Sequence, residues 1–224
     1  MSAPAPTDPA PERQPLTRDR VLRAAVDVAD ADGVAGLTIR SLATRLGVKP
    51  MSVYYHVANK EEILDGIVDL VFAEIDLPDP DGDWRTQVRR RATSARAALV
   101  RHPWAVALLE SRTTPGPENL RQHDAMLGTL RAGGFSVRMA GHAYAVLDAY
   151  VYGVAVTETS LPFQEAEGAG EVAEAMMADL ASGQYPHLVE LATGVVMQPG
   201  YDFRDEFEFG LDLLLNALDD LRSE

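Results

Sequence analysis

The sequence predicts an all-α protein, a small three-helix helix-turn-helix module followed by a larger helical body. Apolar residues recur every three or four positions along most of the chain, strand-like alternation does not recur, and Gly and Pro punctuate the stretches between. At 224 residues the chain sits between one domain and two, which suits a small module joined to a larger one.

Residues 1–15, MSAPAPTDPAPERQP, contain five prolines and no apolar core, so they read as a disordered tail and not as a secretory leader. Thr17 suits the N-cap of a first helix, TRDRVLRAAVDVADADG, whose Val21, Leu22, Ala25, Val28 and Ala29 form one stripe and which Gly33 ends. Leu16 and Val21 can staple its start. Thr38 can cap a second helix, IRSLATRL, with Ile39, Leu42, Ala43 and Leu46 turned inward and Gly47 supplying the sharp turn after it. Pro50 suits the first turn of a third helix, around which Val48, Val53 and Val57 are core positions. Asn59 followed by Glu62 has the form of a capping box, opening a fourth helix that carries Ile63, Leu64, Ile67, Val68, Val71 and Phe72. The expected division is a tail at 1–15, the helix-turn-helix at 16–62 and the helical body at 63–224.

The body follows a Pro-, Asp- and Gly-rich break, Leu77 to Asp83. A long helix is expected from Trp84 towards Arg101, where Pro103 ends or kinks it, then a loop from Thr113 to Pro117 and a helix from Asn119 to Ala132. Ser136 can cap a mostly apolar helix reaching about Thr159. Residues 139–156 approach the length of a membrane span, but His142, Asp148 and three tyrosines inside them favour a helix buried in a soluble protein. Leu161 to Gly170 reads as an acidic connection, Glu171 to Ala181 as helical, and Tyr185 to Thr193 as one or two further turns. In the last helix Phe203, Phe207, Leu211, Leu214, Leu218 and Leu221 have the spacing of a packing seam, either inside the chain or against another helix pair.

Cysteine is absent, which excludes disulfides, thiolate metal sites and cysteine nucleophiles and fits a reducing, cytoplasmic setting. No GxSxG, GxxxxGK or HExxH occurs, and His102, His123 and His142 fall on different helices, so the residues give no sign of an enzyme. A helix-turn-helix, by contrast, holds one helix against the floor of the DNA major groove. Between Thr17 and Lys60 seven Lys or Arg stand against four Asp, a positive surplus in a chain of formal net charge −14. One end is therefore suited to a polyanion while the remainder repels it.

The run LTIRSLATRLGVKPMSVYYHVANKEEILDGI, residues 37–67, resembles the tetracycline-repressor-like (TetR/AcrR) family of transcriptional regulators. The likeness rests on LGV, on Tyr54-Tyr55-His56 and on Asn59-Lys60-Glu61-Glu62-Ile63-Leu64; a looser one, to the tetracycline repressor's own branch, covers residues 119–153. The resemblance implies DNA contacts at Thr38, Arg40, Lys49, Ser52, Tyr54, Tyr55, His56 and Lys60. Arg40 can meet a phosphate or a guanine edge with its planar fork. Lys49, Met51, Ser52 and Tyr55 lie at the exposed start of the third helix, within reach of base edges, while Tyr54, His56 and Lys60 suit the phosphate backbone. Packing of Tyr54 on the first helix, and a partly buried, satisfied His56, are the alternatives.

The same resemblance implies a homodimer on a palindromic double-stranded operator, released by a small-molecule effector and acting as a repressor. Leu147, Val151, Phe207, Leu211, Leu214 and Leu218 are the expected dimer contacts. Effector-lining candidates are His102, Trp104, Arg112, Met126, Tyr144, Asp148, Met176 and Met177, with core packing as the alternative for the Met and aromatic residues and burial against Tyr144 or Tyr152 for Asp148. The metal-anchoring histidine that tetracycline itself implies is missing from AVALLESRTTP, residues 105–115, so no metal and no cofactor is expected. A helical enzyme, or an interaction protein without DNA binding, is the rival reading.

Overall fold

The first helix, α1 (Arg18–Gly36), starts where Thr17 turns its hydroxyl back to accept the Arg20 amide at 3.2 Å. It buries Val21, Leu22, Ala24, Ala25, Val28 and Ala29. In the computed structural model, which describes residues 15–109, 114–161, 172, 174 and 184–222, the helical path breaks at Gly33 (φ 70°, ψ 170°) and resumes for one short turn to Gly36. Gly33 thus kinks α1 where an end was expected, since a residue without Cβ enters positive φ at little steric cost. The tail at 1–14, the connection at 162–170 and most of the helix expected at 171–181 lie outside the described residues.

Helix α2 (Ile39–Leu46) opens with a reciprocal box: the Ser41 amide donates to Thr38 Oγ1 at 3.0 Å and the Thr38 amide donates to Ser41 Oγ at 2.9 Å. Gly47 closes it in the left-handed region at φ 66°. Helix α3 (Pro50–Tyr54) buries Val53 alone; Val57 just beyond is also buried, whereas Val48 is only half-buried and not a full core residue. Helix α4 (Lys60–Ala73) opens with the Glu62 amide donating to Asn59 Oδ1 at 2.9 Å, and the Glu62 carboxylate reaches back to the Ala58 amide at 2.7 Å. Two compact units divide between Ile63 and Leu64, so α4 begins in the first and continues in the second.

In the second unit α5 (Trp84–Arg101) is capped by Asp83, and after Pro103 the chain makes a tight turn, Pro103–Ala105, and a short α6 (Val106–Leu109). Then come α7 (Pro117–Ala132), α8 (Val137–Ser160), α9 (Pro186–Leu191) with a wide turn over Ala192–Val196, and α10 (Phe203–Leu221). Helix α5 packs on α7 and α8, and α10 packs on α8. Close approach of α8 and α10 depends on Gly210, because a Cβ there would fall 2.2 Å from the Tyr150 hydroxyl. That hydroxyl donates to the Phe207 carbonyl at 2.9 Å, and the two rings stack at 5.7 Å.

The core of this unit absorbs most of the residues expected at a dimer interface. Leu147, Val151, Phe207, Leu211 and Leu218 are all buried within the single chain, and Leu214 is half-buried while its neighbour Leu215 is fully buried. A side chain already enclosed by its own chain has no surface left for a second copy, so these five are corrected to core positions. The large apolar side chains that α8 and α10 leave in solvent are Val137, Val146 and Val156 on the one and Phe209, Leu213 and Leu221 on the other.

Candidate nucleic-acid interface and effector region

Helix α3 is short, and ties around it hold its scaffold. Arg45 on α2 meets Asp27 on α1 at 3.0 Å, and Arg18 on α1 meets Glu62 on α4 at 3.2 Å. The hydrogen bond from the Ala58 amide, then that from Arg18, hold the Glu62 carboxyl below its usual range. Ser41 Oγ also donates to the Gly36 carbonyl at 2.8 Å, so the end of α1 and the start of α2 form one knot.

On that scaffold α3 presents Met51 at 67% and Tyr55 at 85% exposure, with Tyr54 exposed beside them. Large apolar surface left in water on so small a unit is where a partner is expected. Arg40, Lys49 and Lys60 are exposed, and Ser52 and His56 half-buried. The Thr38 hydroxyl is engaged in the capping box, so its first role is to start α2. An open cleft beside α2 is bordered by Asp27, Asp32, Thr38, Arg40, Thr44 and Arg45; it touches none of the expected effector residues.

In the second unit a polar cluster sits inside the apolar core. Arg91 Nη1 donates to Asp148 Oδ1 at 2.9 Å, and the Tyr152 hydroxyl donates to Asp148 Oδ2 at 3.2 Å. Burial, and then the Asp148 charge, push the Tyr144 phenol far up, so it stays a protonated donor. The His123 ring lies 5.0 Å from that of Tyr144 and 5.9 Å from that of Phe72. Its Nδ1 is 2.7 Å from the Asn119 carbonyl, which can only accept, so the proton is on Nδ1. Gln122 Nε2 donates to the carbonyls of Ile75 at 2.6 Å and Phe72 at 3.3 Å. Two buried polar atoms, Arg91 Nε and Gln122 Oε1, have no hydrogen-bond partner among the described residues.

The candidates for the effector therefore separate. Tyr144 and Asp148 join the polar cluster, and Met126 is a fully buried core residue. His102 is buried with its Nε2 3.2 Å from Glu74, and Trp104 packs 6.0 Å from the His102 ring. Arg112, Met176 and Met177 lie outside the described residues. Arg91, Gln122 and His123 went unrecognised, although Arg91 shares the α5 stripe with Trp84, Val88, Ala92, Ala95 and Leu99, a signal that was present. Among the described residues no group of three or more His, Asp or Glu is placed to hold a metal ion, and no helix is long and apolar enough to cross a membrane.

Residues 21–67 match the family model of bacterial regulatory proteins, tetR family, and residues 77–221 match that of the tetracyclin repressor-like C-terminal domain. The chain belongs to the tetR family. It is 35% identical to the HTH-type transcriptional repressor DrrR1 of Streptomyces coeruleorubidus, over 93% of this chain and 80% of that one. It is 30% identical to the class C tetracycline repressor protein of Escherichia coli, over 92% of each. Among solved structures, ActR of Streptomyces coelicolor in complex with actinorhodin superposes with a TM-score of 0.74 at 29% identity, covering 91% of this chain and 95% of that one. A tetR-family chain with this helix-turn-helix is a DNA-binding transcriptional regulator.

Proposed function

We propose that the chain is a non-enzymatic, cytoplasmic repressor that binds a palindromic operator as a homodimer and is displaced from it when a small molecule occupies its C-terminal unit. The observation that carries this is the exposure of Met51 and Tyr55 on a helix whose supports, Thr38, Ser41, Asp27–Arg45 and Arg18–Glu62, are all engaged. Met51 and Tyr55 offer apolar contact to a thymine methyl, Arg40 offers a bidentate contact to guanine, and Lys49, Ser52, Tyr54, His56 and Lys60 offer donors to bases and phosphates. Two such heads read half-sites about 34–36 Å apart, which requires a pair of chains.

The pairing surface we propose is the solvent face of α8 and α10, Val146 and Val156 with Phe209 at 65% and Leu213 at 56% exposure. The effector we place at the Arg91, Tyr144 and Asp148 cluster with His123, where the unpaired Arg91 Nε donor is available to it. To empty an occupied operator it must favour the released state by about 10⁴-fold. The relative ActR is known in complex with actinorhodin, and the effector of this chain is proposed by analogy to be a comparably small organic molecule.

Selection of bound duplexes from random DNA is the test. An inverted repeat with half-sites one helical turn apart supports the reading, and recovery of no preferred sequence sinks it. Leu213→Glu adds the dimer arm: the variant is expected to remain helical yet sediment as a single chain and lose the repeat.

A further inference from the structure

Helix α7 lacks a cap of its own. Its N-cap residue is Gly116, which has no side chain, and the second and third amides of the helix, Glu118 and Asn119, both donate to Asp69 Oδ1, at 2.9 and 3.0 Å. Asp69 lies on α4, 49 residues away from Glu118 in sequence, so the carboxylate that terminates α7 is borrowed from another helix. The fit is tight, because a Cβ on Gly116 would fall 2.2 Å from that same oxygen. Helix α7 returns the contact. Gln122, one turn further along, sends both of its used donor contacts to Phe72 and Ile75, the carbonyls at the exit of α4. It does so while its own Oε1 stays buried and unpaired, a cost that packing alone does not explain.

We infer that Asp69 and Gln122 are positioning residues for operator binding: each caps the other's helix, and the two helices respond as one piece. Orphan ends are satisfied here across helices where they are usually satisfied within one. Since α4 begins at Lys60, among the proposed phosphate contacts, and ends in this mutual clamp, loss of the clamp frees the direction in which α4 delivers the reading head. The inference rests on the operator-binding reading given above.

The experiment uses the full chain and the duplex selected by the wild type, with operator affinity measured across a salt series. Asp69→Ala and Gln122→Leu are each expected to weaken binding about tenfold, the size of one lost cap. They should also lower the slope of log affinity against log salt by at least about one phosphate contact, because a misaimed head loses contacts. Asp69→Asn, which keeps the accepting oxygen, is expected within about twofold of wild type. Gly116→Ala, which pushes on Asp69 from the other side, is expected to behave like Asp69→Ala. If Asp69→Ala and Gln122→Leu lower the melting temperature but leave the slope unchanged, their role is stability and the inference is overturned; so it is if Asp69→Asn loses as much as Asp69→Ala. Should Asp69→Ala fail to fold, Gly116→Ala decides by the same slope. A wild type that selects no duplex sinks the operator reading instead.

Discussion

Charged pairs in the N-terminal unit lie in water, while the central pair of the C-terminal unit lies in oil. Arg45 and Asp27 each leave 54% of their side chains exposed, and Arg18 likewise 54%, whereas Arg91 and Asp148 face each other at 3% and 9%. Surface pairs hold helices at small energetic stake and leave neighbouring side chains free for a polyanion. A buried pair is committed: removing one partner strands the other charge. On the proposed reading, DNA is met by what the fold leaves outside and the effector by what it has enclosed.

The contrast can be broken most forcefully at the buried pair. Asp148→Ala is expected to cost about 3–5 kcal/mol in urea unfolding, since Arg91 keeps its charge, whereas Asp27→Ala should cost about 1 kcal/mol or less. Equal losses would erase the distinction. Next in size, Arg40→Ala should reduce discrimination between the selected operator and its guanine-substituted variants by about 1–3 kcal/mol, read by competition binding, with little change in melting temperature.

Acidification sharpens the comparison further. The Glu62 carboxyl titrates below its usual value of 4.5, so its contribution is present above that pH and lost as pH falls through the lower, folded-state value. Glu62→Gln should therefore flatten the acid limb of stability, and an unchanged limb would remove Glu62 from the scaffold. Smallest is Lys60→Ala, expected to weaken all duplexes alike and reduce the salt slope by about one.

The N-terminal unit was largely legible because its determinants are local. Thr38, Gly47, Pro50 and Asn59 each declare a cap or turn within a few residues, whereas the reciprocal part of Ser41, the continuation of α1 past Gly33 and the half-burial of Val48 were not legible. The C-terminal unit was legible as helices but not as a site. Arg89, Arg90 and Arg91 are consecutive arginines, and only the last turns into the core, an outcome set by what α7 and α8 place opposite. Leu213, Leu214 and Leu215 pose the same ambiguity; a run of identical residues carries no phase, and the seam was assigned one position away from the fully buried Leu215. Asp69 could not be recognised at all, because its partners lie 49 and 50 residues further on.

The hydrogen-bonded knot that joins Gly36, Thr38 and Ser41 has an evolutionary corollary. It fixes where α2 begins without recruiting the side chains of Met51 or Tyr55, which remain mostly in solvent. If those two residues meet base edges as proposed, a lineage can exchange them, and with them its target sequences, without disturbing the framework that starts α2.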